Sequence, residues 1–230
     1  MVRSCLLVLG LVGITAALFG VGELVVHSHA IAAFDRHVTT LAVGHRTPAL
    51  DTTMRLVTWL GSWVTVAVAG GVVLVLTVTR RLTVAAPVLL AVAWAGEVVA
   101  VNLVKHAVGR PRPPRELWLV TARGASFPSG HAANATLVFA TAAVVVFLVD
   151  RRRPVRAVAV ALACLAIVAV GYSRVELGVH WATDVVAGGL VTLAWLAALA
   201  GLIGKAVPLA VGRGRVRVRS TVQPTMTTSP

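Results

Sequence analysis

The chain has 230 residues, enough for one large domain, with 58% hydrophobic and 13% charged residues and a formal net charge of +13. Its mean hydropathy of +0.89 lies well above the norm for soluble globular domains and argues against a water-soluble fold. The two cysteines, Cys5 and Cys164, fall in apolar stretches and form neither a disulfide framework nor a metal-ligand spacing.

Six apolar segments of about 20 residues each predict membrane-spanning helices, because that length of helix crosses ~30 Å of hydrocarbon. They cover approximately residues 4–26, 56–79, 82–104, 131–149, 155–173 and 182–204. The sequence therefore predicts an all-α protein, a bundle of six transmembrane helices. We expect three sections: 1–55 with the first span and an outer loop, 56–205 with spans two to six, and 206–230 as a basic tail.

The segments at the two ends of the chain leave alternatives open. "SHA" at 28–30 resembles a signal-peptide cleavage site, but the preceding apolar stretch is longer than the usual ~7–15 residues, which favours a retained helix. The loop predicted over 27–55 holds four histidines, for which solvated side chains are the preferred interpretation over a metal site; they are His27, His29, His37 and His45. The tail 212–230 is predicted to be disordered.

The distribution of basic residues predicts the orientation in the membrane. The segments after spans two, four and six, together with Arg3, carry twelve Lys/Arg and one acid, Asp150. The alternate loops carry nine Lys/Arg and five acids. The positive-inside rule then places both termini in the cytoplasm of a multi-pass cell-membrane protein. The basic excess is read as a topological signal, and no nucleic-acid partner is expected.

Three polar clusters fall on the opposite, extracytoplasmic side. They are "KHAVGRPRP" at 105–113, "PSGH" at 128–131 and "SRVELGVHWATD" at 173–184. An ionisable group costs about 2.5–3.5 kcal/mol at the centre of a membrane helix, so a concentration of them at helix ends suggests function.

The residue types in these clusters suit phosphate chemistry. The clusters supply three cations: Lys105, Arg112 and Arg174. The guanidinium group of an arginine can donate two parallel hydrogen bonds to two oxygens of one phosphate. Ser129 and Gly130 open a helix, where free N–H groups and the dipole favour an anion.

The same clusters contain two imidazoles and a carboxylate. His180 and Asp184 are four residues apart, so on a helix they share one face. His131 is a second, independent imidazole. Two histidines, a carboxylate and an anion cradle favour phosphoryl transfer through a histidine nucleophile. No acidic cluster suits Mg²⁺ or Ca²⁺, and no metal or cofactor is expected.

The combined pattern resembles the signature of the type 2 phosphatidic acid phosphatase superfamily, which includes the vanadium haloperoxidases. The signature reads Lys-x6-Arg-Pro, Pro-Ser-Gly-His and Ser-Arg-x5-His-x3-Asp, and the resemblance covers roughly residues 50–205. The matching residues are Lys105, Arg112, Pro113, Pro128, Ser129, Gly130, His131, Ser173, Arg174, His180 and Asp184.

The resemblance implies a role for each of these residues. His180 would attack phosphorus and become a phosphohistidine, Asp184 would orient it, and His131 would protonate the leaving group. The remaining ligands of the phosphoryl oxygens would be Lys105, Arg112, Arg174, Ser129 and the Gly130 amide, with Pro113, Pro128 and Ser173 as supporting residues.

Other polar residues in these segments are expected to be structural. Arg110 lacks the six-residue spacing from Lys105 and is predicted to be a solvated or rim charge. Glu97 is predicted to pair within the bundle, and Glu176 to temper the positive field or face water. Gly188 and Gly189 are predicted to permit close helix packing.

The leading prediction is a metal-independent phosphatase acting on membrane lipid phosphates or diphosphates. The candidate substrates are phosphatidate, phosphatidylglycerophosphate and undecaprenyl diphosphate. The alternatives are a lipid phosphotransferase and, from a different class, a transporter or channel with a basic vestibule. The six spans and the membrane-edge site weigh against a haloperoxidase. The sequence leaves the head group, the acceptor and the oligomeric state open.

Overall fold

A computed structural model describes residues 2–204, and all its regular elements are helical over that part of the chain. Two short 3₁₀ turns, Thr58–Gly61 and Arg115–Leu117, lie among the helices. The helices are α1 Val2–His27, α2 His29–Gly44, α3 Pro48–Val57, α4 Trp63–Val78, α5 Ala85–Val108, α6 Gly130–Val149, α7 Arg153–Glu176 and α8 Ala182–Gly204.

Four of these helices, α5 to α8, are each long and apolar enough to cross a membrane. Two further candidates are bent pairs: Val12–His27 with His29–Gly44, bent by 80°, and Pro48–Gly61 with Trp63–Val78, bent by 48°. The expected count of six is reached when each bent pair is one span. The prediction of an all-α, multi-span bundle is confirmed.

The prediction of an outer loop over 27–55 is wrong, because α2 and α3 occupy most of that segment. Capping side chains start both helices: the Ser28 hydroxyl accepts from the Ile31 amide at 3.3 Å, and the Thr47 hydroxyl accepts from the Leu50 amide at 3.2 Å. The four histidines lie on or beside these helices and at the end of α1, with exposed side chains. Within residues 2–204, no group of three or more His, Cys, Asp or Glu could hold a metal ion.

Glycines allow the last three helices to pack closely, as expected for small residues in membrane bundles. A Cβ at Gly188 of α8 would lie 2.4 Å from the main-chain oxygen of Ser129 at the start of α6. A Cβ at Gly171 of α7 would lie 2.6 Å from the Val185 side chain of α8. Because neither position has room for a side chain, the start of α6, the end of α7 and the start of α8 come together.

The segments that carry the three motifs meet at one end of the bundle, which we call the motif end: the end of α5, the start of α6, and the turn 177–181 between α7 and α8. Main-chain hydrogen bonds connect these segments with the α5–α6 loop and with α8: Leu119 N donates to Leu177 O at 3.1 Å, and Ser129 N donates to Asp184 O at 2.9 Å. The Arg46 guanidinium, from the α2–α3 junction, donates to the main-chain oxygens of Glu176 and Leu117. The motif end is therefore a cross-linked unit that includes the helices of the N-terminal segment.

The structure shows the surroundings of two acidic residues, Glu176 and Glu97, and excludes one of the two alternatives for Glu176. Glu176 does not face water: it is fully buried, with Arg46 Nε 3.7 Å from its Oε1 and no hydrogen bond to its carboxyl oxygens from any residue of 2–204. Glu97 is also buried, and its Oε2 accepts no hydrogen bond from the described residues, so the predicted pairing is not found there. The predicted disordered tail lies outside the described residues.

Candidate active site

The two cations of the first motif lie against a loop that crosses the motif end. Lys105, in the last turn of α5, donates from Nζ to Ala125 O at 2.9 Å. Arg112 donates from Nε to Gly124 O at 3.0 Å and from Nη2 to Arg123 O at 2.9 Å. The main-chain oxygens of 123–125 thus hold both charged groups in place. In residues 2–204, no carboxylate lies within 4.0 Å of either group to neutralise its charge.

The third cation of the predicted cradle, Arg174, lies near the end of α7 and is 5% exposed. Its Nη1 donates to the Thr58 hydroxyl at 2.7 Å, which links α7 to the first 3₁₀ turn. Its Nε is buried and has no hydrogen-bond partner in the part of the chain that the structure describes. A buried donor without a partner costs about 1–3 kcal/mol, and a phosphoryl oxygen would satisfy it.

The start of α6 provides a helix N-terminus. Ser129 is the N-cap, and its hydroxyl accepts from the Ala132 amide at 3.5 Å. The residue is fully buried, and its amide donates to Asp184 O at 2.9 Å. A Cβ at Gly130 would meet no heavy atom within 4 Å, so there is open space beside a helix N-terminus, where the helix dipole favours an anion.

The His180–Asp184 contact forms, but not on one helix face as predicted. His180 precedes α8 in the turn 177–181, and its Nδ1 lies 3.3 Å from Asp184 Oδ2. The same oxygen accepts from the Trp181 amide at 2.9 Å. Asp184 therefore caps the start of α8 and reaches back to the imidazole.

The partners of His180 determine its tautomer. Arg112 Nη1 lies 3.0 Å from His180 Nε2, and a guanidinium only donates, so Nε2 accepts. The hydrogen is therefore on Nδ1, where the Asp184 carboxylate accepts it. Burial, with Arg112 and Arg174 nearby, lowers the pKa of His180 to about 3, although Asp184 acts in the opposite direction. The imidazole is neutral at physiological pH, with its lone pair on Nε2.

His131, the second residue of α6, is the other imidazole of the site. Its surroundings carry positive charge from Arg174, Arg112 and Lys105. The first 3₁₀ turn braces its main chain, because a Cβ at Gly61 would lie only 2.6 Å from His131 O. The structure therefore brings both imidazoles and all three cations of the motifs to one place.

The three supporting motif residues shape the backbone. Pro113 is buried, and its main-chain oxygen accepts from Trp118 Nε1 at 2.9 Å. Pro128 is buried beside Phe127, which belongs to the apolar core. The Ser173 hydroxyl donates back to Val170 O at 2.6 Å within α7.

The prediction that Arg110 is a solvated or rim charge is wrong. Arg110 is 6% exposed, and it donates from Nη1 to Asp184 Oδ1 at 2.5 Å and from Nη2 to Asp35 Oδ2 at 2.7 Å. Sequence reasoning also missed two residues of this network, Asp35 and Ser126. The Ser126 hydroxyl donates to Asp184 Oδ2 at 2.5 Å. The only sequence signal for a role of Arg110 was the repeated Arg-Pro in "GRPRP". The Lys-x6-Arg-Pro spacing matched Arg112, so no role was assigned to Arg110.

The arrangement suits a nucleophilic reaction at phosphorus. A neutral imidazole with its lone pair on Nε2 lies among donors that complement phosphoryl oxygens, and a second imidazole, His131, lies within the electrostatic influence of the same cations. The charge and hydrogen-bond pattern is that of an anion site with an unprotonated imidazole nitrogen beside it.

Comparison with known proteins identifies relatives of this fold. A model of the PAP2 superfamily matches residues 85–208. A transmembrane PAP2-type phosphatidylglycerolphosphate phosphatase from Bacillus subtilis superposes with a TM-score of 0.67 at 25% identity, covering 90% of this chain and 99% of that one. LpxE from Aquifex aeolicus superposes with a TM-score of 0.55 at 24% identity, covering 71% of this chain and 93% of that one. No curated protein matches the sequence.

Proposed function

This chain belongs to the PAP2 superfamily and is a membrane lipid phosphate hydrolase, and we propose that it acts by transferring the phosphoryl group first to His180 and then to water. The observation that carries the proposal is the state of His180, whose unprotonated Nε2 is aligned by Asp184 and held among cations.

Substrate binding and release of the nucleophile are coupled in this mechanism. Arg112 Nη1 occupies the Nε2 lone pair in the structure. When the substrate binds, its phosphoryl oxygens accept hydrogen bonds from Arg112 Nη1, from Arg174 Nε and from the amides of α6. Because Arg112 Nη1 then no longer donates to His180, the Nε2 lone pair is free to attack phosphorus. Binding energy is thereby used to place the nucleophile, as productive catalysis requires.

The first chemical step forms a phosphorus–nitrogen bond and breaks a phosphorus–oxygen bond. His180 Nε2 attacks phosphorus. His131, which takes up a proton as the negatively charged phosphate binds, gives that proton to the leaving oxygen, and this oxygen departs as part of the lipid alcohol or lipid monophosphate. Asp184 accepts the Nδ1 hydrogen bond while positive charge develops on the ring. In the second step His131 removes a proton from water, the resulting hydroxide attacks the phosphohistidine, and inorganic phosphate leaves with His180 restored.

A lipid substrate is supported by the position of the cradle at the ends of membrane helices and by an apolar groove farther along the bundle, towards the other end of α5. The groove, of about 250 Å³, lies between α4 and α5 and is lined by Trp63, Val66, Ala67, Gly70, Pro87, Leu90, Ala91 and Trp94. Trp63 follows Gly61 by two residues, and Gly61 packs against His131. We place an acyl or prenyl tail in this groove.

Phosphatidylglycerol phosphate is the first candidate substrate, because the Bacillus subtilis neighbour is described as a phosphatase of that lipid. Phosphatidate and undecaprenyl diphosphate present the same terminal phosphate and complete the class. The count of Lys and Arg supports an orientation with both termini in the cytoplasm and the motif end on the extracytoplasmic side.

The test is phosphate release by the purified, detergent-solubilised protein from the three lipids and a short soluble phosphomonoester. We expect higher kcat/KM for a lipid than for the soluble ester, activity that survives EDTA, and inhibition by vanadate. His180→Ala should abolish turnover while the variant stays folded.

Three results would contradict the proposal: equal kcat/KM for lipid and soluble ester, full activity of His180→Ala, or activity lost in EDTA and restored by Mg²⁺. Adding glycerol or another alcohol as acceptor separates hydrolysis from phosphotransfer, because a transferase would form a new phosphate ester at the expense of free phosphate.

A further inference from the structure

Behind the catalytic pair lies a buried ion-pair network that the three motifs do not include. It is centred on Arg110, whose guanidinium bridges two carboxylates, Asp184 through Nη1 and Asp35 through Nη2. Both carboxylates are fully buried. Asp35 comes from α2, so the network joins the N-terminal helices to the start of α8.

Hydrogen bonds to both oxygens of the Asp184 carboxylate fix its orientation. Its Oδ2 accepts from the Ser126 hydroxyl, the Trp181 amide and His180 Nδ1. Its Oδ1 accepts from Arg110, and no other donor from residues 2–204 contacts that oxygen. Three donors thus hold Oδ2 beside the imidazole, and Arg110 holds Oδ1, so Arg110 completes the set of contacts that resists rotation of the carboxylate about its Cβ–Cγ bond.

Arg110 is held in turn by Asp35. The Asp35 Oδ2 accepts from Arg110 Nη2 at 2.7 Å and from the Thr183 hydroxyl at 2.6 Å, and its Oδ1 accepts from the Thr183 amide at 3.0 Å. Thr183 also accepts from Arg110 Nη1 at 2.9 Å. Asp35 thus fixes both the guanidinium and the residue next to Asp184.

We propose that Arg110 and Asp35 are positioning residues of the reaction, which hold Asp184, and through it the Nε2 of His180, in line with the phosphorus of the substrate. This proposal rests on the proposed function. It extends the working unit to α2, outside residues 85–208 that the family model matches.

A positioning role predicts an effect on kcat and not on KM. Neither residue belongs to the predicted cradle for the phosphoryl oxygens, so ground-state binding should persist when they change. At metal sites, loss of an outer partner of a ligating histidine typically costs about 10–100-fold in affinity or activity, and we take the same range for a histidine held by a carboxylate. We expect that range for Arg110→Gln and Asp35→Asn, with KM within about twofold of the unchanged enzyme.

The chemistry of the substitutions provides a test of coupling. In Asp35→Asn the amide can still accept from the Thr183 main chain, but its N–H₂ faces the Arg110 donors. In Asp35→Asn/Arg110→Gln, the Gln oxygen can accept from the Asn amide while its own amide donates to Asp184. The double variant should therefore exceed Arg110→Gln in kcat, and Arg110→Lys should keep part of the activity that Arg110→Gln loses.

The experiment measures kcat, KM and melting temperature of these variants in detergent on the lipid that the unchanged protein hydrolyses best. Arg36→Gln is the matched control, because Arg36 is the exposed neighbour of Asp35, and it should match the unchanged enzyme. If Arg110→Gln does not fold, Asp35→Asn alone decides. Unchanged kcat, a rise in KM alone, or a loss in kcat that only follows the melting temperature would overturn the inference. An unchanged protein inactive on every lipid would instead refute the proposed function.

Discussion

The buried, neutral imidazole of His180 makes folding stability depend on pH. An unfolded histidine has a pKa of about 6.5, whereas burial lowers the pKa of folded His180 to about 3. The unfolded chain therefore binds a proton in a range where the folded protein does not. The stabilisation is present above pH 6.5 and is lost progressively as pH falls towards 3. At pH 5 the loss is about 2 kcal/mol, from 1.36 kcal/mol per pH unit.

His180→Asn removes this titration and can keep a donor towards Asp184. We expect the melting temperature of the unchanged protein to fall more between pH 7.5 and 5.0 than that of the variant. The difference should be roughly 4–8 °C, at 2–4 °C per kcal/mol for a chain of this size. The control is His106→Asn, which removes an exposed imidazole and should leave the pH response unchanged. Parallel responses of the unchanged protein and His180→Asn would refute a buried neutral His180.

Three further predictions test the groove, the interior and the orientation. Ala67→Trp fills the groove between α4 and α5 and should raise KM for long-chain lipids while leaving kcat/KM for a soluble phosphomonoester unchanged; an equal effect on both would place the tail elsewhere. Glu97→Leu removes a buried carboxyl with an unsatisfied oxygen and should stabilise the protein by about 1–3 kcal/mol at unchanged kcat; a lower melting temperature would reveal a partner. Reporter fusions after residues 80 and 120 should report cytoplasmic and extracytoplasmic positions, and the reverse result would invert the topology.

The sequence predicts the helices and motifs because both are local. Apolar runs of about 20 residues identify the spans, and the residues of each motif are a few positions apart. The helix face assumed for His180 and Asp184 was wrong, because Asp184 is used to cap α8 and His180 lies in the preceding turn. The helices α2 and α3 were missed because their polar residues interrupt the apolar pattern, although Ser28 and Thr47 carried capping signals.

The Arg110 network was beyond sequence reasoning for a different reason. Asp35 and Arg110 are 75 positions apart, and Arg110 and Asp184 are 74 apart. Nothing in local spacing relates them. The separation is closed only by packing of the N-terminal helices against the start of α8. From the sequence, Arg110 therefore looks like an unpaired charge next to Arg112, and only the structure shows that it binds Asp35 and Asp184.

In the proposed mechanism, one site must both attract phosphate and keep its nucleophile deprotonated, and the distribution of charge at the motif end meets both requirements. Two carboxylates neutralise Arg110 and orient the pair, while the charges of Lys105, Arg112 and Arg174 have no carboxylate within 4.0 Å in residues 2–204. These unneutralised cations attract a phosphate dianion. Arg112 and Arg174, added to the larger effect of burial, also lower the pKa of His180. A carboxylate paired with either arginine would weaken phosphate binding and favour protonation of the nucleophile. Asp35 and Asp184 instead pair with Arg110, and this network keeps both carboxylates away from Arg112 and Arg174.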